Sequence, residues 1–260
     1  MPRPGGLRAA TAGGRPNPLN TFAESAHLAL QLIVNADARL AQVVMLSLAV
    51  SAAACLIAAV FGLGGGAALA VANFRGRGAT LVVLNTLLAL PSVVVGLVVY
   101  LLLSRSGPLG QWGLLFTPGA MVLAQTILVL PILAALTRQA LQAPWEAQGE
   151  QLRSLGASRL TAGVLLLWDE RMALLTVLLA AFGRAISEVG AVMIVGGNID
   201  GHTRVMTTAI ALETSKGDLP LALALGLVLL AVVLGLNVLI ALVRRASARG
   251  ETATLALAHA

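Results

Sequence analysis

The chain has 260 residues, of which 58% are hydrophobic and only 11% are charged, and its mean hydropathy is +0.91. About a quarter of the residues in a soluble domain are charged, so a surface with so little charge cannot face water over most of its area. The formal net charge of +6 does not indicate nucleic-acid binding, because the basic residues form no stripe and only 3% of the residues are aromatic. The composition predicts an integral membrane protein.

The first 36 residues precede the long apolar stretches. Residues 1–20 are rich in Pro, Gly and Arg, which predicts a disordered tail. No apolar core directly follows their arginines, so they do not resemble a signal peptide. Residues 21–36 indicate a short amphipathic helix at the membrane interface, with an apolar face formed by Phe22, Leu28, Leu32 and Ile33.

Five later stretches have about the 20 apolar residues that cross a bilayer. Pro91 lies inside the second and Pro131 inside the third, and both predict kinks, since a packed bundle tolerates proline within a span. The predicted fold is an all-α integral membrane protein with about five transmembrane helices, followed by a C-terminal tail at 247–260. The membrane domain covers 37–246, with spans at 40–61 (extending toward 72), 81–103, 119–136, 172–195 and 219–243.

An odd number of spans places the two termini on opposite sides of the membrane. Arginines concentrate on the side of the C-terminus, in the segments 75–77, 138–171 and 244–249. Because short loops rich in Arg and Lys stay in the cytoplasm, we expect the C-terminus inside and the N-terminus outside.

Glycines follow the first apolar stretch in the sequence "GLGGG" at 62–66. Gly62 and Gly66 have the spacing that lets two helices approach closely in a membrane. The three consecutive glycines equally favour a loosened helix end. Both interpretations stay open at this point.

The longest hydrophilic loop between spans covers residues 138–172. It predicts a short helix at 145–155, which Gly156 ends as a C-terminal glycine does, and a second amphipathic helix at 158–167. One interpretation is a solvated linker. The other is a docking element for a partner on that side of the membrane.

The stretch "EQLRSLGAS" at 150–158 resembles the EAA loop of ABC importer permeases, in which Glu-Ala-Ala is followed after three residues by Gly. Glu150 and Gly156 match that spacing, while Gln151 and Leu152 replace the two alanines. In that family the loop forms the helix that fits a groove on the ATPase subunit. The resemblance therefore implies ATPase contacts by Glu150, Leu152, Arg153 and Gly156.

Arg184 and Glu188 are the charged residues of the fourth apolar stretch. A separation of four places them on one helical face. Ionisable groups inside a membrane nearly always face the bundle interior, a partner or a water-filled path. One interpretation is an ion pair that locks helix packing, and the other is a pair that lines or gates a translocation path.

Small and polar residues follow the pair, namely Gly196, Gly197, Asn198 and Thr203. Free N–H groups and hydroxyls at a helix end can hydrogen-bond to an oxyanion. Asn, Gly and Thr are also ordinary loop and cap residues. These four residues are therefore candidates for translocation or gating, and an ordinary role as loop and cap residues is the alternative.

Residues 183–218 resemble the closing segment of the molybdate, sulfate and tungstate permeases. "SEVG" at 187–190 stands where many members have Gly-Glu-Phe-Gly or Gly-Glu-Tyr-Gly, and "GGNID" at 196–200 stands where they have Gly-Asn-Ile-Pro. The double glycine, the absent proline and "TTAIALETSKGD" are more similar to tungstate permeases of the Tup type. The resemblance implies type I ABC importer architecture and an oxyanion permease, most closely for tungstate, with molybdate or sulfate as the alternative.

The sequence contains no G-x-x-x-x-G-K-[ST] phosphate loop. We therefore expect no catalytic residue, metal or cofactor in this chain, and ATP-Mg on a separate ATPase subunit. By resemblance, two copies of the chain pair with two cytoplasmic ATPases and an extracytoplasmic substrate-binding protein. The setting is the cytoplasmic (inner) membrane of a bacterium or archaeon, and the mechanism is alternating access.

Two other classes of membrane protein fit the sequence less well. An intramembrane enzyme lacks support, because His27, His202 and His259 are scattered and form no H-E-x-x-H motif. An ion-coupled carrier with Arg184 and Glu188 as its relay would commonly show internal repeats, which an odd number of spans disfavours. Dependence on a partner ATPase separates this carrier from an ABC importer.

Overall fold

The computed structural model describes residues 38–258 and isolated positions before residue 32. The predicted tail at 1–20 lies outside the described residues, as does most of the predicted interfacial helix at 21–36. Over the described range the chain is helical with no strand, as the composition and spans predict.

The helices follow one another with short connections. They are α1 (Ala38–Val71), α2 (Arg77–Leu88), α3 (Ser92–Leu103), α4 (Pro118–Ser154), α5 (Arg159–Asp169), α6 (Arg171–Ile186), α7 (Gly190–Gly196), α8 (Met206–Lys216) and α9 (Leu219–Ala258). A 3-10 turn at Gly110–Trp112 lies between α3 and α4. We call the end of the bundle that carries α5 the loop end, and the end that carries residues 197–205 the opposite end.

Within the described residues, three helices are long and apolar enough to cross a membrane by themselves, namely Leu40–Val71 in α1, Pro118–Ser154, which is α4, and Leu221–Leu242 in α9. The pairs α2–α3 and α6–α7 meet the same criterion only together, and they are bent by 95° and 58°. If each bent pair forms one span, the three long helices and the two pairs together give the five predicted spans. The first break lies at Pro91, as predicted, because proline donates no N–H to a helix.

α1 and α4 run side by side in the same direction and form the centre of the bundle. Midway along α1, Thr126 Oγ1 donates to the Ala54 carbonyl at 3.5 Å. Farther along, Gly66 lies against Thr137. The facing side chains are small, and Ala54 is completely buried. Close packing of small residues is the usual way in which membrane helices associate.

Gly62 and Gly66 allow this close approach. A β-carbon built on Gly62 would lie 2.7 Å from the Leu133 Cβ, and one on Gly66 would lie 2.6 Å from the Ala134 carbonyl oxygen. The helix continues beyond both glycines to Val71. The interpretation of a close helix contact is therefore confirmed, and the interpretation of a loosened helix end is wrong.

α4 corrects the prediction of a separate short helix at 145–155. The helix runs without interruption to Ser154, through both Pro131 and Pro144. Its last part is held by packing, because the completely buried Leu141 joins a cluster with residues of α1 and α5. Tertiary contacts thus carry the third span well past the end of its apolar stretch.

Candidate functional site

The two helix breaks lie against each other inside the bundle. The first separates α2 from α3, and the second separates α6 from α7. A β-carbon on Gly96 would lie 2.7 Å from the Ala191 Cα, and one on Gly190 would lie 2.8 Å from the Ser92 Oγ. Non-helical backbone at membrane depth is tolerated only where protein surrounds it or a water-filled cavity adjoins it. Paired breaks therefore mark a candidate site.

Glu188 lies in the second break, and only 4% of its side chain is exposed. Its Oε2 accepts a hydrogen bond from Arg184 Nη1 at 2.8 Å, and its Oε1 accepts one from the Ala191 N–H at 3.4 Å. The Ser92 side chain also hydrogen-bonds to this carboxylate. A buried carboxylate needs several donors of this kind to offset its lost hydration.

Arg184 differs from its partner in exposure. Its side chain is 49% exposed, so the ion pair has its carboxylate inside the bundle and its guanidinium at the surface. A guanidinium has five N–H donors. Among the described residues, Glu188 is the acceptor recorded for it. The remaining donors have no acceptor within the described part of the chain.

A small cavity of about 30 Å³ adjoins the ion pair and is lined in part by Gln125 of α4. Gln125 Nε2 donates to the Ala185 carbonyl at 3.1 Å. Its Oε1 is buried and has no hydrogen-bond partner within the described part of the chain. The space is sufficient for about one water. Sequence reasoning missed Gln125, although a glutamine inside an apolar span is itself a signal of function.

The predicted residues after the ion pair form a turn at the opposite end. Gly197 and Asn198 have positive φ angles of 69° and 52°. The Thr203 hydroxyl accepts from the Ile199 N–H at 2.9 Å and donates to the Gly196 carbonyl at 2.6 Å. Thr203 is also completely buried. In this arrangement its hydroxyl is engaged by the turn itself.

The first turn of α8 connects this loop to the ion pair. Thr207 Oγ1 donates to the Glu188 carbonyl at 2.8 Å, and Asn198 Nδ2 donates to the Thr208 carbonyl at 3.3 Å. Asn198 Oδ1 is buried and has no partner among the described residues. The structure thus brings the ion pair and the turn together at the first turn of α8, although they are separated along the sequence.

The residues predicted to contact an ATPase lie at the loop end, where α4 stops. Glu150 and Arg153 are exposed, and Leu152 is half-buried. Gly156, with a φ of +84°, follows the last turn as predicted. Its N–H bonds to the Arg153 carbonyl and the Ala157 N–H bonds to the Leu152 carbonyl, both at 3.0 Å. This pair of bonds is the Schellman motif of a helix C-terminus.

The surface beside this helix end carries large apolar side chains. Leu155, Leu160 and Trp168 are 77%, 80% and 71% exposed. Arg159 Nη1 donates to the Asn73 carbonyl at 3.2 Å, which ties α5 to the turn between α1 and α2. In a membrane-spanning chain, exposed apolar groups at such an end contact either lipid or a partner protein.

The two groups of predicted residues do not form one site. α4 passes the ion pair at Gln125 and reaches the loop end at Glu150, which corresponds to about 37 Å of helix. α4 therefore contacts both regions, although Pro131 and Pro144 each interrupt its hydrogen bonds between them.

No protein-family model matches the chain. The chain is 44% identical over 220 residues to the tungstate uptake system permease protein TupB of Peptoclostridium acidaminophilum, covering 84% of this chain and 96% of that protein. It is 45% identical over 205 residues to a probable anion ABC transporter permease protein of Haloferax volcanii, covering 77% and 88%. It is 30% identical over 188 residues to the molybdenum transport system permease protein ModB of Escherichia coli K12, covering 68% and 82%.

Proposed function

The chain belongs to the family of ABC anion-transporter permeases that includes the tungstate uptake permeases, and we propose that it is the membrane-spanning subunit of an ATP-driven tungstate importer. The observation that carries the proposal is the buried Glu188 carboxylate at the junction of two broken helices. A charge inside a membrane domain is costly and therefore rare, and where it occurs it usually marks the path of a substrate or ion. The relative named for tungstate is more similar to this chain, at 44% identity, than the one named for molybdenum, at 30%.

The chain is a permease component and leaves ATP hydrolysis to a separate subunit. The loop end is the side on which that ATPase docks, so it faces the cytoplasm and the C-terminus lies inside. The exposed Glu150 and Arg153, together with the apolar side chains of Leu155 and Leu160, supply a mixed polar and apolar docking surface. Such a surface suits a groove on a folded partner.

α4 is the element that transmits movement from the ATPase to the ion pair. It is a single helix from the docking surface to Gln125, beside the small cavity. A shift at its loop end therefore reaches the wall of the path within one helix, in which Pro131 and Pro144 are the points where a helix hydrogen bond is missing. The bent pairs α2–α3 and α6–α7 supply the joints, because their breaks are not held by continuous helix hydrogen bonds.

A second copy of the chain and an extracytoplasmic binding protein complete the transporter. Arg184 is half exposed at the surface of one chain, beside a small cavity that is partly open. A second chain placed against this face closes the path between two copies. Specificity for the anion lies mainly in the binding protein, because a path that bound its ion tightly would not release it.

Tungsten accumulation tests the proposed function. Cells that lack the chain are given a low concentration of tungstate with an excess of molybdate or sulfate, and tungsten is measured by mass spectrometry. The native chain is expected to restore accumulation in the presence of both competitors and only when the ATPase subunit is active. Full competition by molybdate would assign the chain to the alternative substrate. Accumulation that is independent of the chain would contradict the proposal.

A further inference from the structure

A second, larger cavity lies between α2 and α4, nearer the loop end. Its volume is about 490 Å³, and its polar lining comes from Asn85 of α2 and from Arg138, Gln139 and Gln142 of α4. Neither the sequence motifs nor the family resemblance points to these four residues. No carboxylate lines this cavity among the described residues, so its polar groups are one cation and three amides.

Arg138 is held in place but is not neutralised. Its Nη2 donates to Gln142 Oε1 at 3.0 Å, and Gln142 Nε2 donates to Glu146 Oε1 at 3.0 Å. The Arg138 Nε is buried and has no hydrogen-bond partner among the described residues. Among the described residues, no carboxylate lies within ion-pair distance of the Arg138 guanidinium. An oriented guanidinium with a free buried donor favours an anion with several oxygen acceptors.

The larger cavity adjoins the small cavity beside the ion pair. Leu88 and Ile132 line both of them, so the two spaces lie on either side of the same apolar side chains. The small cavity contains Glu188 and Arg184, and the larger one contains Arg138. The two cavities are therefore neighbours, with the narrow one at the helix breaks and the wide one nearer the loop end.

We propose that the larger cavity is a release site, in which Arg138 and the neighbouring amides bind the translocated tetrahedral oxyanion after it has passed Leu88 and Ile132. This inference rests on the proposed function. The amide N–H₂ groups of Asn85 and Gln139 supply donors to oxygens that face away from the guanidinium. The site is open to one side and carries one cation, so its affinity for a dianion is low enough for release.

A lipid phosphate has the same chemistry as a free oxyanion and has to be distinguished from it. The shared lining of the two cavities favours the free ion, because a lipid headgroup at the membrane surface has no need of a connection to Glu188. The experiment therefore uses the purified permease–ATPase complex in nanodiscs of phosphatidylcholine alone and, separately, of phosphatidylcholine with phosphatidylglycerol.

The probe is sodium tungstate. Equilibrium dialysis measures how much tungsten the permease–ATPase complex binds in the absence of the binding protein. Arg138→Gln is compared with Arg75→Gln, which makes the same change at an exposed arginine outside the cavity. We expect Arg138→Gln to weaken tungstate binding at least about tenfold in both lipids, and Arg75→Gln to leave it unchanged. Equal binding by both variants would overturn the inference, as would an effect of Arg138→Gln that is confined to the anionic lipid.

A second variant guards against a folding defect. Gln139→Glu adds a carboxylate to the cavity at an exposed side chain and removes no contact recorded in the structure, and Gln111→Glu is its matched control at the opposite end. Gln139→Glu is expected to weaken binding by a similar factor, and native affinity in this variant would overturn the inference. Binding-protein-dependent uptake by the native complex is measured in parallel. If the native complex imports tungstate but Arg138→Gln binds it normally, the release site alone fails; if the native complex imports none, the proposed function fails with it.

Discussion

The Thr207 hydroxyl donates a hydrogen bond to the main-chain carbonyl of Glu188 at 2.8 Å. Glu188 thus holds Arg184 through its side chain and α8 through its backbone. Because the carbonyl lies at the break between α6 and α7, the next residues do not satisfy it as they would in a continuous helix. The bond therefore fixes the conformation of the break that positions the ion pair.

Thr207→Val removes this donor and keeps the shape of the side chain. The Glu188 carbonyl is then buried without a partner, and we expect the free energy of unfolding to fall by about 1–3 kcal/mol. Thr214→Val is the matched control, because the exposed Thr214 hydroxyl bonds only to a carbonyl of its own helix. Thermal unfolding of the purified permease in detergent measures the difference, and equal midpoints for the two variants would contradict the role of Thr207.

The unequal exposure of the ion pair predicts an unequal response to substitution. Arg184→Met leaves the 4%-exposed carboxylate without its main charged donor, whereas Glu188→Met leaves a half-exposed guanidinium that can still reach water or lipid phosphates. We expect Arg184→Met to destabilise the protein more, by roughly 2 kcal/mol. Thermal unfolding of both variants in the same detergent gives the order, and the reverse order would show that Arg184 is less well solvated than the structure indicates.

The double variant Arg184→Met with Glu188→Met separates packing from transport. Replacing a buried pair with apolar residues of similar volume is often neutral for stability. If the pair lines the path, as proposed, the double variant is folded but imports no tungstate. Unfolding midpoints together with tungsten uptake in proteoliposomes test this, and native uptake by the double variant would leave the pair with a packing role only.

Gly66→Ala tests the contact between α1 and α4. The new β-carbon would lie 2.6 Å from the Ala134 carbonyl oxygen, and we expect a loss of about 1–3 kcal/mol from overpacking. Gly65→Ala is the control, because no atom lies within 4 Å of the position that its β-carbon would take. That change should be neutral or slightly stabilising, since alanine favours a helix over glycine. Thermal unfolding distinguishes the two, and an equal effect at both positions would argue against a tight contact at Gly66.

Glu150→Lys tests the docking surface. Reversing an exposed charge is expected to abolish ATP-driven uptake while the chain remains in the membrane at native levels. The measurements are tungsten uptake and recovery of the ATPase subunit with the tagged permease. Asp200→Lys makes the same reversal at an exposed residue of the opposite end, where only an ion pair with Arg204 is lost, and should retain the ATPase. Normal recovery of the ATPase with Glu150→Lys would remove this residue from the docking surface.

Several features follow from short segments and were predictable from the sequence. The apolar stretches indicate where spans lie, because crossing a bilayer requires about 20 apolar residues whatever their partners. Gly156 indicates a helix end, because this effect arises from the backbone of one residue. Proline is less decisive, since the chain breaks at Pro91 whereas α4 continues through Pro131, where a kink was also predicted. The spacing of Arg184 and Glu188 places them in contact, because one helical turn determines that distance.

Other features depend on which residue of one helix lies opposite which residue of another. The glycines at 62–66 allowed two interpretations until α4 was found against Gly62 and Gly66. The continuation of α4 through Pro144 depends on packing around Leu141 rather than on helix propensity.

Gln125 at the candidate site and Arg138 at the proposed release site were likewise identified only from the tertiary structure. Each is a polar residue in or at the end of an apolar stretch, with a threonine beside it, and residues of other helices contribute to its cavity. Local spacing by itself determined the spans, the ion pair and the helix ends of this protein. Only the tertiary structure decided that two helix breaks meet at Glu188 and that a cavity opens beside Arg138, because the relative positions of distant helices result from packing over the whole bundle.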